Sequence, residues 1–189
     1  KPHPPIVVTV VAPFSKGVVS AAARGWTPIS ANFLQPPWVA SHWPMYKQGC
    51  EQGGHPARTS DWRVAKSIFV ADDEKTAQAY GRSDANSPYR YYWNMLLKKM
   101  MLSKRHIIFK TSEQQDDREL TDDYMVDRLV LAGTVNNVVD QILKLREEAG
   151  PFGEIVYAGM DWVAPALAKR SLELMATEVM PRVNKALGA

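Results

Sequence analysis

The segment at residues 13–17, Pro-Phe-Ser-Lys-Gly, combines residue types suited to holding an anion. It lies between an apolar run at residues 6–11 and a helix-like run that begins at about Ser15. At the start of a helix, unpaired backbone N–H groups and a partial positive charge stabilise an anion. Ser15 adds a hydroxyl, Lys16 adds a charge, and Gly17 lacks the Cβ that would obstruct a ligand oxygen. Two interpretations stay open: Ser15 holds a phosphate, or it only caps its own helix.

Two other segments place polar and aromatic side chains at predicted strand ends. Asn32 and Phe33 end one strand, and Trp38 follows shortly after it. Their side chains either flank a planar ring system or pack together over the rim of the sheet. Asp161 and Trp162 end a later strand, where Asp161 is either a hydrogen-bonding group of a substrate pocket or an exposed loop carboxylate.

Histidine and cysteine spacing favours no metal site. No pair of histidines has the spacing of metal ligands, and His42 on a predicted helix is expected to be a surface or hydrogen-bonded structural residue. The single cysteine, Cys50, excludes an internal disulfide and a multi-cysteine site. We therefore predict no bound metal.

The elements that must position these residues alternate between strands and helices. Residues 6–11 are apolar, β-branched and without alternation, which is typical of a strand covered on both faces in a parallel sheet. Further strands are predicted at residues 28–33, 63–70 and 154–159. Helices are predicted at residues 15–24, 38–52, 72–80, 134–149 and 164–187, the last of them kinked or divided at Pro181.

Residues 87–129 interrupt this alternation. They begin with an aromatic stretch, continue into a helical apolar face at residues 95–102, and end in a polar segment at residues 111–123 that we expect to be a loop. The chain is thus predicted to be a single domain, 1–189, with a helical and loop insertion at 87–129. Four strand–helix units fit either half of a (β/α)8 barrel or a small doubly wound sheet, and in both the ligands collect at the carboxyl ends of the strands.

Composition narrows the function classes. The 189 residues are 46% hydrophobic and 23% charged, with a net charge of +3 from interspersed charges, so no basic block indicates nucleic acid. No apolar run reaches the length of a membrane span, and the first residues do not resemble a signal peptide. We predict a cytoplasmic protein that does not bind nucleic acid or a membrane. The sequence starts at Lys1 without a Met and reaches a strand at once, as a segment of a longer protein would.

Four segments in order resemble the bacterial luciferase-like flavin-dependent monooxygenases. They are PPIVVTVVAPFSKGVVSAAARGWTPISANF at 4–33, RVAKSIFVADDEKTAQAYG at 63–81, LAGTVNNVVDQILKLREEAGPFGEIVYAGMDW at 131–162 and RSLELMATEVMPRV at 170–183. The resemblance covers nearly the whole chain and is to the C-terminal half of the family's (β/α)8 TIM-type barrel, strands five to eight. The sequence most resembles the branch that acts on terpenoid or cyclic ketones, which includes the diketocamphane monooxygenases.

The resemblance implies a site and a reaction. Family members use reduced FMN, delivered by a separate reductase, and O2 to oxygenate a small organic substrate. A family serine that helps to hold the phosphate matches Ser15, whereas a neighbouring carboxylate of luciferase is replaced by Phe14 and a nearby threonine by Val18. The implied FMN-binding residues are Pro13, Phe14, Ser15, Lys16, Gly17, Ala31, Asn32 and Phe33. Trp38, Asp161 and Trp162 are the candidates for the substrate pocket.

The family's residues nearest the reactive flavin atom lie mainly on its first four strands, so no catalytic residue is assigned here. The first and fourth strands of half a barrel would be open edges, which predicts that the N-terminal half of the barrel, from the same gene product or another chain, completes it. A homodimer is also expected. Two alternatives remain: a deazaflavin-dependent oxidoreductase on the same fold, and a truncated relative that binds flavin without turnover.

Overall fold

A computed structural model describes residues 4–188 as one parallel sheet covered by helices. Residues 1–3, which bear on the expectation of an upstream segment, lie outside the described residues. The strands are β1 (Val7–Val10), β2 (Thr27–Ser30), β3 (Arg63–Val70), β4 (Val130–Gly133) and β5 (Glu154–Ala158). The helices are α1 (Lys16–Ala22), α2 (Pro36–Ala40), α3 (His42–Gly53), α4 (Glu74–Gln78), α5 (Pro88–Leu102), α6 (Asp122–Leu129), α7 (Val135–Ala149), α8 (Pro165–Leu174) and α9 (Met180–Leu187).

All pairings between these strands are parallel. β1 pairs with β2, and β2 pairs with the start of β3. β3 also pairs with β5 through residues 63–67 and with β4 through residues 67–70. The carboxyl ends of the strands therefore meet at one edge of the sheet, which we call the carboxyl edge.

β3 is the central strand and carries apolar side chains on both of its faces. Val64 and Phe69 belong to the main core, which also includes buried side chains of α5 and α6 such as Trp93 and Met125. Ile68 belongs to a second cluster formed with α7 and α8. Residues 87–129 thus pack into the same core as the sheet.

The strand and helix boundaries agree with the sequence in several places. β3 spans the predicted residues 63–70, and α7 follows the predicted Thr134 cap position. Asp73 caps α4, as predicted, by accepting a hydrogen bond from the Thr76 backbone N–H at 2.8 Å. The last predicted helix is divided by a π-helical turn, Met175–Val179, immediately before the segment with Pro181, whose ring nitrogen has no hydrogen to donate to the preceding turn.

Other sequence predictions were wrong. β1 is not covered on both faces: Val7 and Thr9, which share one face, are exposed, whereas Val10 on the opposite face is buried. The helix predicted at 38–52 is two helices, since Pro44 in the first turn of α3 has no N–H with which to continue α2. The short β4 was not predicted, because its four residues directly follow α6 and carry no turn signal.

Within residues 4–188, no helix is both long enough and apolar enough to cross a bilayer.

Candidate functional site at the carboxyl edge

The loop that follows β1 has a constrained backbone. Phe14 adopts a φ of 50°, which non-glycine residues rarely occupy, and its side chain is 64% exposed. Its backbone N–H donates to Ser41 Oγ at 2.9 Å, and the Ser41 hydroxyl donates to the Trp38 carbonyl at 2.6 Å. The junction between α2 and α3 therefore fixes the loop from one side.

A buried hydrogen-bond relay fixes the same loop from the core. His42 Nε2 lies 3.0 Å from the Ala12 carbonyl oxygen, which can only accept, so Nε2 carries the hydrogen. His42 Nδ1 must then accept from the Ser30 hydroxyl, 2.8 Å away. The Ser30 oxygen in turn accepts from Trp62 Nε1 at 2.9 Å. Each donor in this relay, from Trp62 through Ser30 and His42 to Ala12, has an acceptor.

The relay requires a neutral imidazole. Burial lowers the pKa of His42 from 6.5 to about 4, and its hydrogen bond to Ala12 opposes this shift only in part. A proton on Nδ1 would point at the Ser30 oxygen and displace the hydrogen that Ser30 donates there. At neutral pH the loop is consequently held by an uncharged histidine.

The Ser15 hydroxyl does not cap α1. Ser15 occupies the N-cap position, yet its side chain forms no capping hydrogen bond and none with any other described residue. Lys16 and Gly17 are exposed, and a Cβ built on Gly17 would lie 3.5 Å from Ser15 Oγ. A hydroxyl, a cation and open backbone thus lie together at the carboxyl edge, and the half-buried Pro13 precedes them.

The residues after β2 lie beside this loop. The Ala31 backbone N–H donates to the Val10 carbonyl of β1 at 3.0 Å, and its side chain is buried. Asn32 is half-buried and donates from Nδ2 to Ser67 Oγ on β3 at 3.3 Å. Phe33 is half-buried and packs against the main core. Of the three, Asn32 has the polar side chain that faces the neighbouring strand end.

Trp38 lies in the core and not at an exposed rim of the sheet. It is buried in the main core, and its indole Nε1 donates to the Lys110 carbonyl at 2.6 Å. The side chain is covered because α2 packs beneath the segment that follows α5. Trp38 thus has a structural role in the core, and its contact with a substrate stays a prediction.

Asp161 and Trp162 are exposed but border different depressions. Asp161 lies at a cleft of about 360 Å³ with Tyr157 and Lys169. Trp162 is 57% exposed and borders a depression of about 250 Å³ with Tyr91. The two side chains follow β5, whereas Ser15 follows β1, so the candidate residues are distributed across the whole carboxyl edge.

Comparison with known proteins identifies relatives of this fold. No family model matches the chain. It is 30% identical over 190 residues to 4-hydroxyprotoasukamycin monooxygenase from Streptomyces nodosus subsp. asukaensis, covering 97% of this chain and 48% of that protein. It is 27% identical over 175 residues to limonene 1,2-monooxygenase from Rhodococcus erythropolis, covering 93% of this chain and 40% of that protein.

A solved structure is similar over the same extent. It is the oxygenating constituent of 3,6-diketocamphane monooxygenase from Pseudomonas putida, a type II Baeyer-Villiger monooxygenase in complex with FMN, with 25% identity and a TM-score of 0.84. The alignment covers 96% of this chain and 49% of that one. This chain resembles the luciferase-like flavin-dependent monooxygenases. It spans about half the length of the relatives it matches.

The similarity to luciferase-like monooxygenases confirms the resemblance predicted from the sequence and the α/β fold class with its parallel sheet. Sequence reasoning did not find the residues that hold the carboxyl edge of this luciferase-like fold together. Ser30, Ser41 and His42 belong to no recognisable motif in the sequence, and only His42 was singled out. A serine ending a strand 12 residues before a histidine is too common a pattern to indicate a relay.

Proposed function

We propose that this chain is the flavin-binding part of a luciferase-like monooxygenase that uses reduced FMN and O2 to oxygenate a small organic substrate. The observation that supports this most strongly is the FMN complex of the diketocamphane monooxygenase constituent, whose fold matches 96% of this chain. The curated relatives named above are monooxygenases as well. A cyclic ketone or terpenoid is the substrate class we propose.

The residues after β1 fit a phosphate group. Ser15 has a hydroxyl with no hydrogen-bond partner among residues 4–188, Lys16 forms no ion pair with another described residue, and the exposed Gly17 leaves its backbone accessible. Phe14 places no carboxylate beside them. We propose that these residues bind the FMN phosphate and that Ala31, Asn32 and Phe33 border the flavin ring.

FMN, when bound and reduced, supplies the oxygen activation. The chain's own residues are proposed to bind and orient it: the relay through His42 fixes the Ala12 carbonyl and Ser41 fixes the Phe14 backbone N–H, so the backbone that leads into Ser15 is held in place. Asp161 and Trp162, after β5, are proposed to contact the substrate. No catalytic acid or base is assigned.

The proposed partners are those of a two-component enzyme. A separate reductase would deliver reduced FMN, the N-terminal half of the barrel would complete the fold, and the active form would be a homodimer. A cytoplasmic location remains a prediction of the sequence. Turnover is tested by measuring oxygen-dependent product formation by the full protein with a reductase. Hydride transfer without oxygen would indicate the deazaflavin-dependent oxidoreductase. Flavin binding without product formation would indicate the non-catalytic relative.

The phosphate site is tested with the double variant Ser15→Ala, Lys16→Glu. Loss of a charge-assisted hydrogen bond together with reversal of a charge should weaken binding of reduced FMN at least tenfold, since such bonds contribute about 1.5–3 kcal/mol. Ser60→Ala, Lys98→Glu is the matched control, because both residues are exposed and neither side chain has a described partner. Anaerobic titration of the full protein measures both. Equal affinities for the double variant and the control would remove the site assignment.

A further inference from the structure

Lys66 is a buried cation with no ion-pair partner among the residues that the structure describes. It lies on β3 and is 2% exposed. Its ammonium donates to the Leu34 carbonyl at 2.8 Å, which is the hydrogen bond it forms with the described residues. No carboxylate oxygen in residues 4–188 lies within ion-pair distance of it. Two of its three N–H donors are therefore without a protein acceptor.

Such a group is costly unless something pairs with it. Burial lowers the pKa of Lys66 from 10.5 to about 8, and only the distant charge of Glu148 opposes this shift. Buried ammonium groups in proteins are otherwise paired with carboxylates or with ligands. A neutral donor would be enough to hydrogen-bond the Leu34 carbonyl. That hydrogen bond alone therefore does not account for a charged side chain at this position.

Lys66 borders an open cleft on the helix-covered face of the sheet. The cleft has a volume of about 530 Å³ and is walled by α2, α6 and α7. Pro36, Leu131 and Leu145 contribute apolar surface, and Arg128 lies at the cleft without an ion pair among the described residues. The other charges at its rim, Lys144 with Glu148 and Asp127 with Arg82, are paired at 3.9 Å.

The cleft and the candidate flavin site are formed by different residues. The cleft is lined by Lys66 of β3 and by residues of α2, α6 and α7. The proposed FMN contacts are residues 13–17 after β1 and residues 31–33 after β2. The Leu34 carbonyl that accepts from Lys66 directly follows Phe33, so the two sites are neighbours that share no residue.

We propose that this cleft binds a small organic monocarboxylate, with its carboxylate on the Lys66 ammonium and its hydrocarbon part against Pro36, Leu131 and Leu145. The one buried ammonium neutralises one charge, whereas Arg128 at the same cleft is exposed to solvent, so the buried part of the site matches a monocarboxylate better than a phosphate dianion. The apolar wall matches a short hydrocarbon chain. This site is additional to the proposed oxygenation.

The test uses hexanoate as the probe, with hexanol as its uncharged analogue and inorganic phosphate as the competing anion. Calorimetric titration of the full protein should give saturable hexanoate binding that weakens at least tenfold in Lys66→Met, as expected for loss of a charge-assisted hydrogen bond. Lys144→Met, at the exposed rim of the same cleft, should bind hexanoate within about twofold of the unmodified protein, since exposed ion pairs contribute little. Hexanol should bind the unmodified protein and Lys66→Met equally.

Binding should also depend on pH. A bound carboxylate favours the charged ammonium, so hexanoate affinity should fall as the pH rises above about 8, and binding there should take up protons. Absence of saturable hexanoate binding, or equal binding by Lys66→Met, would overturn the proposal, and tighter binding of phosphate than of hexanoate would overturn the ligand class. Reduced-FMN affinity, measured on the same variants, should not change, which separates this test from that of the proposed function.

Discussion

Replacement of His42 by glutamine should remove a specific pH dependence of stability. The glutamine amide does not titrate and has an N–H group that can reach toward the Ala12 carbonyl, so the loop keeps one of its bonds. Nothing in the glutamine side chain reproduces the acceptor at Nδ1 in the same geometry. The variant should therefore be less stable at neutral pH by about 1–3 kcal/mol, the usual cost of a disrupted buried hydrogen bond.

The sign of the pH effect follows from the direction of the shift. The folded pKa of His42 is about 4 and its unfolded value 6.5, so the unfolded chain binds more protons between these values. The stability that the neutral His42 contributes is fully present above pH 6.5 and is lost as the pH falls through the folded pKa of this residue. A separation of 2.5 units, at 1.36 kcal/mol per unit, corresponds to about 3 kcal/mol.

Urea unfolding of the full protein and of His42→Gln, at a series of pH values from neutral to about 4, measures this difference. Other titrating groups are common to both proteins and cancel. The stability advantage of the unmodified protein should fall by about 3 kcal/mol over this range, so that His42→Gln is as stable as the unmodified protein, or more stable, near pH 4. A difference that stays constant with pH would show that His42 is not held neutral by burial, and the relay as described would be wrong.

Two further substitutions test packing and hydrogen bonding elsewhere. Gly49→Ala should lower the free energy of unfolding by about 1–3 kcal/mol, because α1 and α3 are in close contact there and the new Cβ would lie 2.6 Å from Ala22 Cβ. Thermal unfolding measures this loss, and Gln48→Ala, at an exposed position of the same helix, is the control. Ser171→Ala should lower the free energy of unfolding by about 1–3 kcal/mol, because the buried Ser171 oxygen accepts a hydrogen bond from the Val70 backbone N–H at 2.7 Å. Urea unfolding measures this loss. An unchanged free energy would mean that another acceptor replaces the Ser171 oxygen.

The sequence predicts the elements whose signals are local. β3 has five apolar residues among its eight and ends in the apolar run Ile68-Phe69-Val70, and it was placed correctly. The Asp73 cap and the division of the last helix depend on single residue types with a known backbone effect, and both agree with the structure. The ordered family segments then identify the fold, although no single one is decisive.

What the sequence could not supply depends on contacts between distant residues. Trp38 looks like an exposed rim aromatic in the sequence, and only the packing of α2 beneath Lys110 shows that it is buried. The exposure of Val7 depends on what packs against that face of β1, which a sequence pattern does not record. The relay joins residues that are 12, 30 and 32 positions apart, so its geometry exists only in the folded chain.

The two buried bases of this chain illustrate how a structural group differs from one that awaits a ligand. His42 is uncharged near neutral pH, and both of its nitrogens have partners, so burial costs no unpaired charge or donor. Lys66 is buried as deeply, yet its pKa of about 8 keeps it mostly charged at neutral pH, with one protein acceptor for three donors. If both were structural, the same fold would satisfy one base completely and leave the other largely unsatisfied beside an open cleft. A carboxylate ligand on Lys66 removes that difference, because it supplies both the missing charge and the missing acceptors.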